Sequence, residues 1–425
     1  MRGLTSRRAC SLALSAALLL CAILVSGTRS AAATENDKIH RPMSASSFAR
    51  GAEIKQVSFE CDVTPSKRCD LNTFVQYARV CALLVVQKGS LLLEYFNRDD
   101  GFCPERGAIN EPTRRYGIAS VTKAITSTLI GHAIATRYGA RTRDDFRRIL
   151  KMPVGRFVER MHVPPPSAYA NVPLQDVLRM RSGVRWNELG WHGLFSDANQ
   201  FSLDVRNLKM NVRDFARRYR ARNEDGDESF NYSALDAAVV ALVAERMVAP
   251  SSLTDFLAKG IWSAIGAQGD ASWGVDGDGT AIGPCCFKAE AGDLARFGVF
   301  VLNKGRVGRS QIVPEAWFDI ATRTNTVDDD AIDLENRYQN IGCPLEYRYF
   351  WWRRRGHSDF TAIGRDGQFV HVYPDSGTVV VQISDWRAWS NGSARECLTF
   401  RAHDALVRAA VKAQEVPHTA STSPN

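Results

Sequence analysis

Tyr116-Gly117-Ile118-Ala119-Ser120-Val121-Thr122-Lys123-Ala124-Ile125-Thr126-Ser127-Thr128-Leu129-Ile130 carries the chain out of a loop and into an apolar helical run. Apolar residues keep a helical period from Ala119 to Tyr138, and Gly139 ends it. Ser120 and Lys123 stand three apart at the helix start, so they share one face and the ammonium can meet the hydroxyl. A serine hydroxyl is a poor nucleophile until an adjacent base takes its proton. The unpaired N–H groups of a helix start also favour a developing oxyanion. The spacing alone is weak, because about one S-x-x-K arises by chance in a chain of this length. Its surroundings decide what it means.

Upstream, Arg79 to Val86 reads as a buried strand, Lys88-Gly89 as a turn, and Ser90 to Phe96 as the hairpin partner. Far downstream, Phe360 to Ile363, Gln368 to Tyr373 and Thr378 to Ile383 read as strands, with Pro374-Asp375-Ser376-Gly377 turning the last two into a hairpin. The stretch 140–265 reads as helical, with breaks such as Pro164-Pro165-Pro166 and helices expected at Leu174 to Met180, Val212 to Arg220 and Ala234 to Met247. A last helix is expected over Cys397 to Ala413. Strands at both ends with helices between them predict an α/β (α+β) fold. Its antiparallel sheet is shared by the two termini and flanked by helices, with an all-helical subdomain inserted. The expected limits are 48–139 with 266–415 for the α/β domain, 140–265 for the helical subdomain, 34–47 for a polar linker and 416–425 for a disordered tail. A ligand cleft is expected between the two parts.

Composition supports an ordinary globular protein: 45% hydrophobic and 24% charged residues exclude a disordered or collagen-like chain. Of the net charge of +8, four units come from Arg2, Arg7, Arg8 and Arg29, which leaves +4 on the remainder. Arg353-Arg354-Arg355 follows Phe350-Trp351-Trp352, a pairing that could grip single-stranded nucleic acid, but no nucleic-acid module accompanies it. The run is expected to be a solvated strand end, with no nucleic-acid partner. Residues 1–33 have the form of an export leader: a short basic start, an uncharged apolar run from Ser11 to Gly27, and Ala31-Ala32-Ala33 for cleavage. The expected location is periplasmic or secreted; if the leader stays uncut it becomes a signal anchor in the membrane. Nothing in the pattern sets an oligomeric state.

Eight cysteines lie beyond the leader, and an even number in an exported chain favours disulfides. Cys61 and Cys69 flank a Pro-Ser turn and are placed to bridge locally, whereas adjacent Cys285 and Cys286 are expected to pair with separate partners. Zinc is disfavoured, since there is no C-x-x-C pair and His132, His162, His192, His357 and His371 stand alone. No metal or other cofactor is expected.

Tyr116 to Lys123 resembles the nucleophile segment of the serine β-lactamase and penicillin-binding-protein superfamily, and further segments follow in that superfamily's order. Val172 to Trp186, with Met180-Arg181-Ser182-Gly183-Val184-Arg185-Trp186 at its end, resembles the stretch that borders the cleft. Phe230-Asn231-Tyr232-Ser233 resembles the tyrosine-bearing second motif. Trp273 to Gly279 and Gly292 to Gly298 resemble landmarks of the class C-like esterase and amidase branch. Gly364-Arg365-Asp366-Gly367-Gln368 resembles a motif of the 6-aminohexanoate-dimer hydrolases. The resemblance covers about residues 75 to 410.

What the resemblance implies is acyl transfer in two steps on a small ester or amide: Ser120 attacks the carbonyl, an acyl-enzyme forms, and water releases the acid. Lys123 would act as general base and Tyr232 as proton relay to the leaving group. The oxyanion hole would use the N–H of Ser120 and one from the strand ending near Ile363. Trp186, Ile363, Gly364, Arg365, Gly367 and Gln368 are expected at the substrate. For Trp186 a core position is the alternative, and Arg365 either receives a substrate carboxylate or faces solvent. Gly367 is expected to allow a close approach or an unusual φ, and Gln368 has no derived role. Asp276, Asp293 and Arg296 are expected to fix turns and a helix start.

Two departures stand out. Ala234 occupies the third position of the Y-x-N motif, and Thr361-Ala362-Ile363-Gly364 carries no cation where the superfamily has K-T-G or H-x-G. The first removes the amide that would bind a substrate's peptide group, and the second argues against an antibiotic or D-alanyl peptide as preferred substrate; a β-lactamase or D-alanyl carboxypeptidase is the rival enzyme. A non-catalytic binding protein on the same fold is the rival from outside enzymes.

Overall fold

In the computed structural model the described residues are 38–98, 103, 111–188, 196–223, 229–322, 333–335, 343–386 and 392–415. The expected leader and the expected C-terminal tail lie outside them. The larger sheet is built, in chain order, from β1 (Ala49–Arg50), β2 (Val80–Gln87), β3 (Ser90–Phe96), β4 (Asp333–Glu335), β5 (Leu345–Arg348), β6 (Trp351–Arg354), β7 (Phe360–Gly364), β8 (Gln368–Tyr373) and β9 (Thr378–Ser384). Across the sheet the order is β4-β5-β6-β7-β8-β9-β2-β3-β1. All pairings are antiparallel except β1 with β3.

Local chemistry accounts for the hairpins. Lys88 and Gly89 both take positive φ, 47° and 80°, which a two-residue hairpin turn requires. Gly377, at φ 64°, closes the turn between β8 and β9 by donating its N–H to the Pro374 carbonyl. The N-terminal and C-terminal halves meet where β9 pairs with β2, Val380 opposite Val85 and Val381 opposite Leu84. Every residue of β2 is buried, because helices cover both faces of the sheet. Leu84 and Val86 point into one core, Leu83 and Val85 into the other.

Four helices frame these cores: α1 (Thr122–Tyr138), α2 (Ala234–Val248), α3 (Ala291–Leu302) and α4 (Gly392–Glu415). Leu398, Ala402 and Leu406 of α4 belong to the second core, with Phe74 and Val380. On the other face Gly298 of α3 lets the helix lie against the sheet; a Cβ there would come 2.5 Å from Val379. α1 is apolar nearly all round and buried accordingly, while its Thr126 and Thr128 hydroxyls donate to carbonyls one turn back. It ends at Gly139, φ 66°, in the left-handed cap that favours glycine. Between α1 and Ala271 the described regular elements are all helical, α2 the longest of them. No single helix among the described residues is long and apolar enough to cross a membrane.

A smaller sheet sets the Ser120 segment in place. Its order is Lys38–Ile39, Ala271–Trp273, Phe287–Glu290 and Arg115–Gly117, and Tyr116 sits opposite Ala289. Ile39 is fully buried and pairs with Ala271, while residues 40–47 carry no regular element.

Two expectations are corrected. Arg353 and Arg354 are 1% and 8% exposed, and Arg354 is held by Asp359 and Asp404; only Arg355 of the run projects to solvent. The partners come from the loop just before β7 and from α4. His371 is a buried histidine with its polar atoms satisfied: its Nε2 lies 2.7 Å from Asp359 and its Nδ1 3.2 Å from His403, which in turn reaches Gln382 at 3.0 Å. Cys285 and Cys286 are bonded to each other. Cys61–Cys69 bridges locally as expected, and Cys81–Cys103 and Cys343–Cys397 complete the described set.

Candidate active site

Ser120 lies in a 3-10 turn, Ala119–Val121, that runs into α1. The turn is anchored to the smaller sheet by the Ile118 N–H on the Phe287 carbonyl, 3.1 Å, and closed by the Thr122 hydroxyl on the Ala119 carbonyl, 2.7 Å. Ala119 takes a φ of 46°, a conformation that residues with a Cβ adopt only when their surroundings impose it. One turn on, the Lys123 ammonium donates to Ser120 Oγ at 2.9 Å.

Lys123 is 2% exposed, so its remaining hydrogens must also find partners. One goes to the Pro284 carbonyl at 3.3 Å. The ammonium also stands 4.6 Å from the centre of the Tyr232 ring, within cation–π distance. No carboxylate pairs with it among the described residues. Tyr232 itself is half-buried in an aromatic wall: Trp352 stacks on it at 5.7 Å and 21°, and Tyr347 meets it edge-on at 5.8 Å. Phe230 packs on Tyr347 at 5.2 Å. Phe350-Trp351-Trp352, which the sequence suggested only as a grip for nucleic acid, thus supplies a ring beside Tyr232.

Residues around Tyr232 are clamped. The Asn231 N–H donates to the Met180 carbonyl and its side-chain amide to the Trp186 carbonyl. Ser233 caps α2 by accepting from the Asp236 N–H. One carboxylate oxygen of Glu188 takes both the Ala234 N–H, 2.8 Å, and the Trp186 indole N–H, 2.6 Å, at the positive end of α2. Ala234, lacking the amide of a Y-x-N motif, therefore serves through its backbone. Behind this segment Asp236 accepts from the Tyr169 and Ser182 hydroxyls at 2.6 and 2.9 Å. Burial pushes its carboxyl up to about 7, against the opposing pull of those hydrogen bonds.

The expected substrate residues divide. Gly364 abuts the Ser120 turn: a Cβ on it would lie 2.5 Å from the Ile118 carbonyl and 3.3 Å from Ala119 Cβ. Ile363 precedes it on β7, 7% exposed, and Arg365 follows with an exposed side chain, 3.6 Å from Asp366. Trp186 is 7% exposed and packs on Tyr219, a mainly internal position. Gly367 combines a φ of 90° with a close approach to Trp386. Gln368 is 5% exposed, and its amide donates to the Ser384 and Asp366 carbonyls. Asp276 accepts from the Asp278, Thr280 and Val212 N–H groups, and Asp293 from Gln268 and Gly269, so both fix loops. Sequence inspection missed Glu188, Tyr347 and Pro284; a backbone carbonyl such as that of Pro284 leaves no signal in a residue pattern. No group of three or more ligating side chains suited to a metal occurs among the described residues.

The chain is 23% identical over 332 residues to the 6-aminohexanoate-dimer hydrolase of Paenarthrobacter ureafaciens, a match covering 76% of this chain and 77% of that protein. Among solved structures, a putative 6-aminohexanoate-dimer hydrolase from Bacillus anthracis superposes with a TM-score of 0.66 at 16% identity, covering 90% of this chain and 92% of that one. A penicillin-binding protein from Bacillus halodurans superposes with a TM-score of 0.54 at 14% identity, covering 78% and 99%. Both superpositions establish a shared fold. The model of the Beta-lactamase family matches residues 78–396, and the chain belongs to that family.

Proposed function

We propose that this chain is an exported serine hydrolase that cleaves a small ester or amide through an acyl-enzyme on Ser120. One observation carries the proposal: the ammonium nitrogen of a buried lysine lies 2.9 Å from the Ser120 hydroxyl, with a tyrosine ring on its other side. In this scheme Lys123 is the general base that takes the serine proton as Oγ bonds to the substrate carbonyl carbon, and holds it for return. Tyr232 relays a proton to the departing alcohol or amine. Water then attacks the ester carbonyl by the same path in reverse and regenerates the hydroxyl. The tetrahedral oxyanion would be met by the Ser120 N–H and by a backbone donor at the end of β7 near Ile363 and Gly364. No metal or organic cofactor takes part.

Substrate selection follows from what lies around that pair. Phe230 and Tyr232, both partly exposed and backed by the buried Tyr347 and Trp352, would offer an apolar surface to the substrate chain. Arg365, next to Gly364, would receive a carboxylate at the far end of the substrate. A linear amide with a terminal carboxylate suits both features, and the relatives' names point the same way. The α/β domain of 48–139 and 266–415 and the helical subdomain of 140–265 would form the two walls. Four disulfides support export to the periplasm or medium.

A fluorophosphonate probe tests the nucleophile. Labelling that disappears in Ser120→Ala supports turnover; folded protein that does not label supports a binding protein. A screen of p-nitrophenyl esters, short linear amides and D-amino-acid peptides then locates the substrate class, and rapid hydrolysis of a chromogenic cephalosporin would instead favour a β-lactamase.

A further inference from the structure

Residues 283–287 touch the candidate catalytic segment three times. The Gly283 carbonyl accepts from the Thr126 hydroxyl at 3.0 Å, the Pro284 carbonyl from the Lys123 ammonium at 3.3 Å, and the Phe287 carbonyl from the Ile118 N–H at 3.1 Å. Between the second and third contacts lies the bond joining Cys285 to Cys286.

The loop has little freedom on either side of that bond. A Cβ on Gly283 would stand 2.4 Å from the Ala237 carbonyl of α2, so α2 presses directly on its backbone. Pro284 has no N–H, and its carbonyl is the backbone group it brings to Lys123. Cys286 takes a φ of 76°, where a residue bearing a Cβ is strained. The disulfide closes a small ring through the Cys285–Cys286 peptide and so holds Cys286 in that conformation. Once the ring is open, Cys286 is free to relax to negative φ, which turns the preceding peptides and draws the Pro284 carbonyl away from the ammonium.

Access fits a reducible bond. In each of the other described disulfides at least one cysteine is buried, whereas Cys285 and Cys286 are both partly exposed.

We propose that the Cys285–Cys286 disulfide is a positioning element of the site, holding the Pro284 carbonyl on Lys123, and that reduction by a dithiol lowers turnover. Two electrons and two protons pass from the dithiol, the Sγ–Sγ bond becomes two thiols, and the dithiol closes to its own disulfide. The inference rests on the serine-hydrolase proposal.

The test compares the full chain with a Cys285→Ser/Cys286→Ser double variant, using a p-nitrophenyl ester and the fluorophosphonate probe, with and without dithiothreitol. The variant is expected to show kcat about tenfold lower with KM unchanged, the scale of one charge-assisted hydrogen bond, and no further response to the dithiol. The unmodified chain should fall to the same rate as Cys285 and Cys286 become open to alkylation, mapped by peptide mass. If the double variant does not fold, that titration decides alone. Full kcat in the variant, or an unchanged rate in unmodified chain carrying both free thiols, overturns the inference while normal probe labelling leaves the hydrolase intact. Absence of labelling in the unmodified chain overturns both.

Discussion

The Lys123 ammonium faces the Tyr232 ring from 4.6 Å while it donates to Ser120 Oγ from 2.9 Å, so one cation links the two other candidate catalytic groups. Ring and hydroxyl of Tyr232 can be separated by substitution. Tyr232→Phe keeps the cation–π face and removes the proton relay. If the relay is used, kcat on an amide falls by about 10²–10⁴-fold. Fluorophosphonate labelling, whose leaving group needs no proton from Tyr232, declines much less. Equal activity of Tyr232→Phe and the unmodified chain on amides would confine Tyr232 to packing.

Gly364 permits the closest backbone contact between β7 and the Ser120 turn. Gly364→Ala places a methyl 2.5 Å from the Ile118 carbonyl, a distance at which strand or turn must yield. Displacement of about 1 Å at a reacting centre costs roughly 10²-fold in rate. The expected outcome is a large loss in kcat with the thermal midpoint lowered by only a few degrees. Wild-type kcat would show that the β7 end does not help form the oxyanion site.

Much of this arrangement was legible in residue order. Strands β2, β3, β8 and β9 are read from short apolar runs and from the turn residues between them, and α1 from its period and its glycine stop, all of which are local properties. Ser120 and Lys123 meet because a helix brings positions three apart onto one face. Contacts made across the chain were not legible. Arg354 is paired with Asp359 five residues on and Asp404 fifty residues on, and His371 meets His403 across the sheet and α4. Gln368 lies inside a motif of apparent substrate residues, yet the curl of the β7–β8 turn sends its amide to Ser384.

Arg354 carries a measurable consequence of that difference. Its guanidinium bonds Asp359 at 2.7 and 3.0 Å and Asp404 at 2.7 and 2.8 Å, and Asp359 also holds His371. Burial alone would raise the Asp359 carboxyl, but His371 and Arg354 hold it well below its ordinary range. Arg354→Met leaves two carboxylates facing an apolar stem. Breaking a buried pair from one side typically costs about 3–5 kcal/mol, which denaturant unfolding would register. A solvated strand-end arginine would cost almost nothing.

Asp236 sits one helical turn beyond Tyr232, and its ionisation opposes folding. Burial sets its carboxyl at about 7 in the folded protein, above the ordinary value of 3.8 that applies when the chain is unfolded. Between these values the unfolded chain gives up the proton while the folded protein keeps it, so the unfolded state binds fewer protons and stability falls as pH rises. The contribution is fully present below pH 4 and is lost as pH passes 7; a gap of this size corresponds to roughly 4 kcal/mol at most. Glu245 and Glu290 are also raised to about 7, by burial first, and act with the same sign. The informative measurement is therefore a difference between variants. Asp236→Asn keeps an acceptor for the Tyr169 and Ser182 hydroxyls and has no proton to lose. Its thermal midpoint should decline less steeply than that of the unmodified chain between pH 5 and 8. Parallel curves would mean that Asp236 titrates near its ordinary value, with water reaching the carboxylate behind Tyr232.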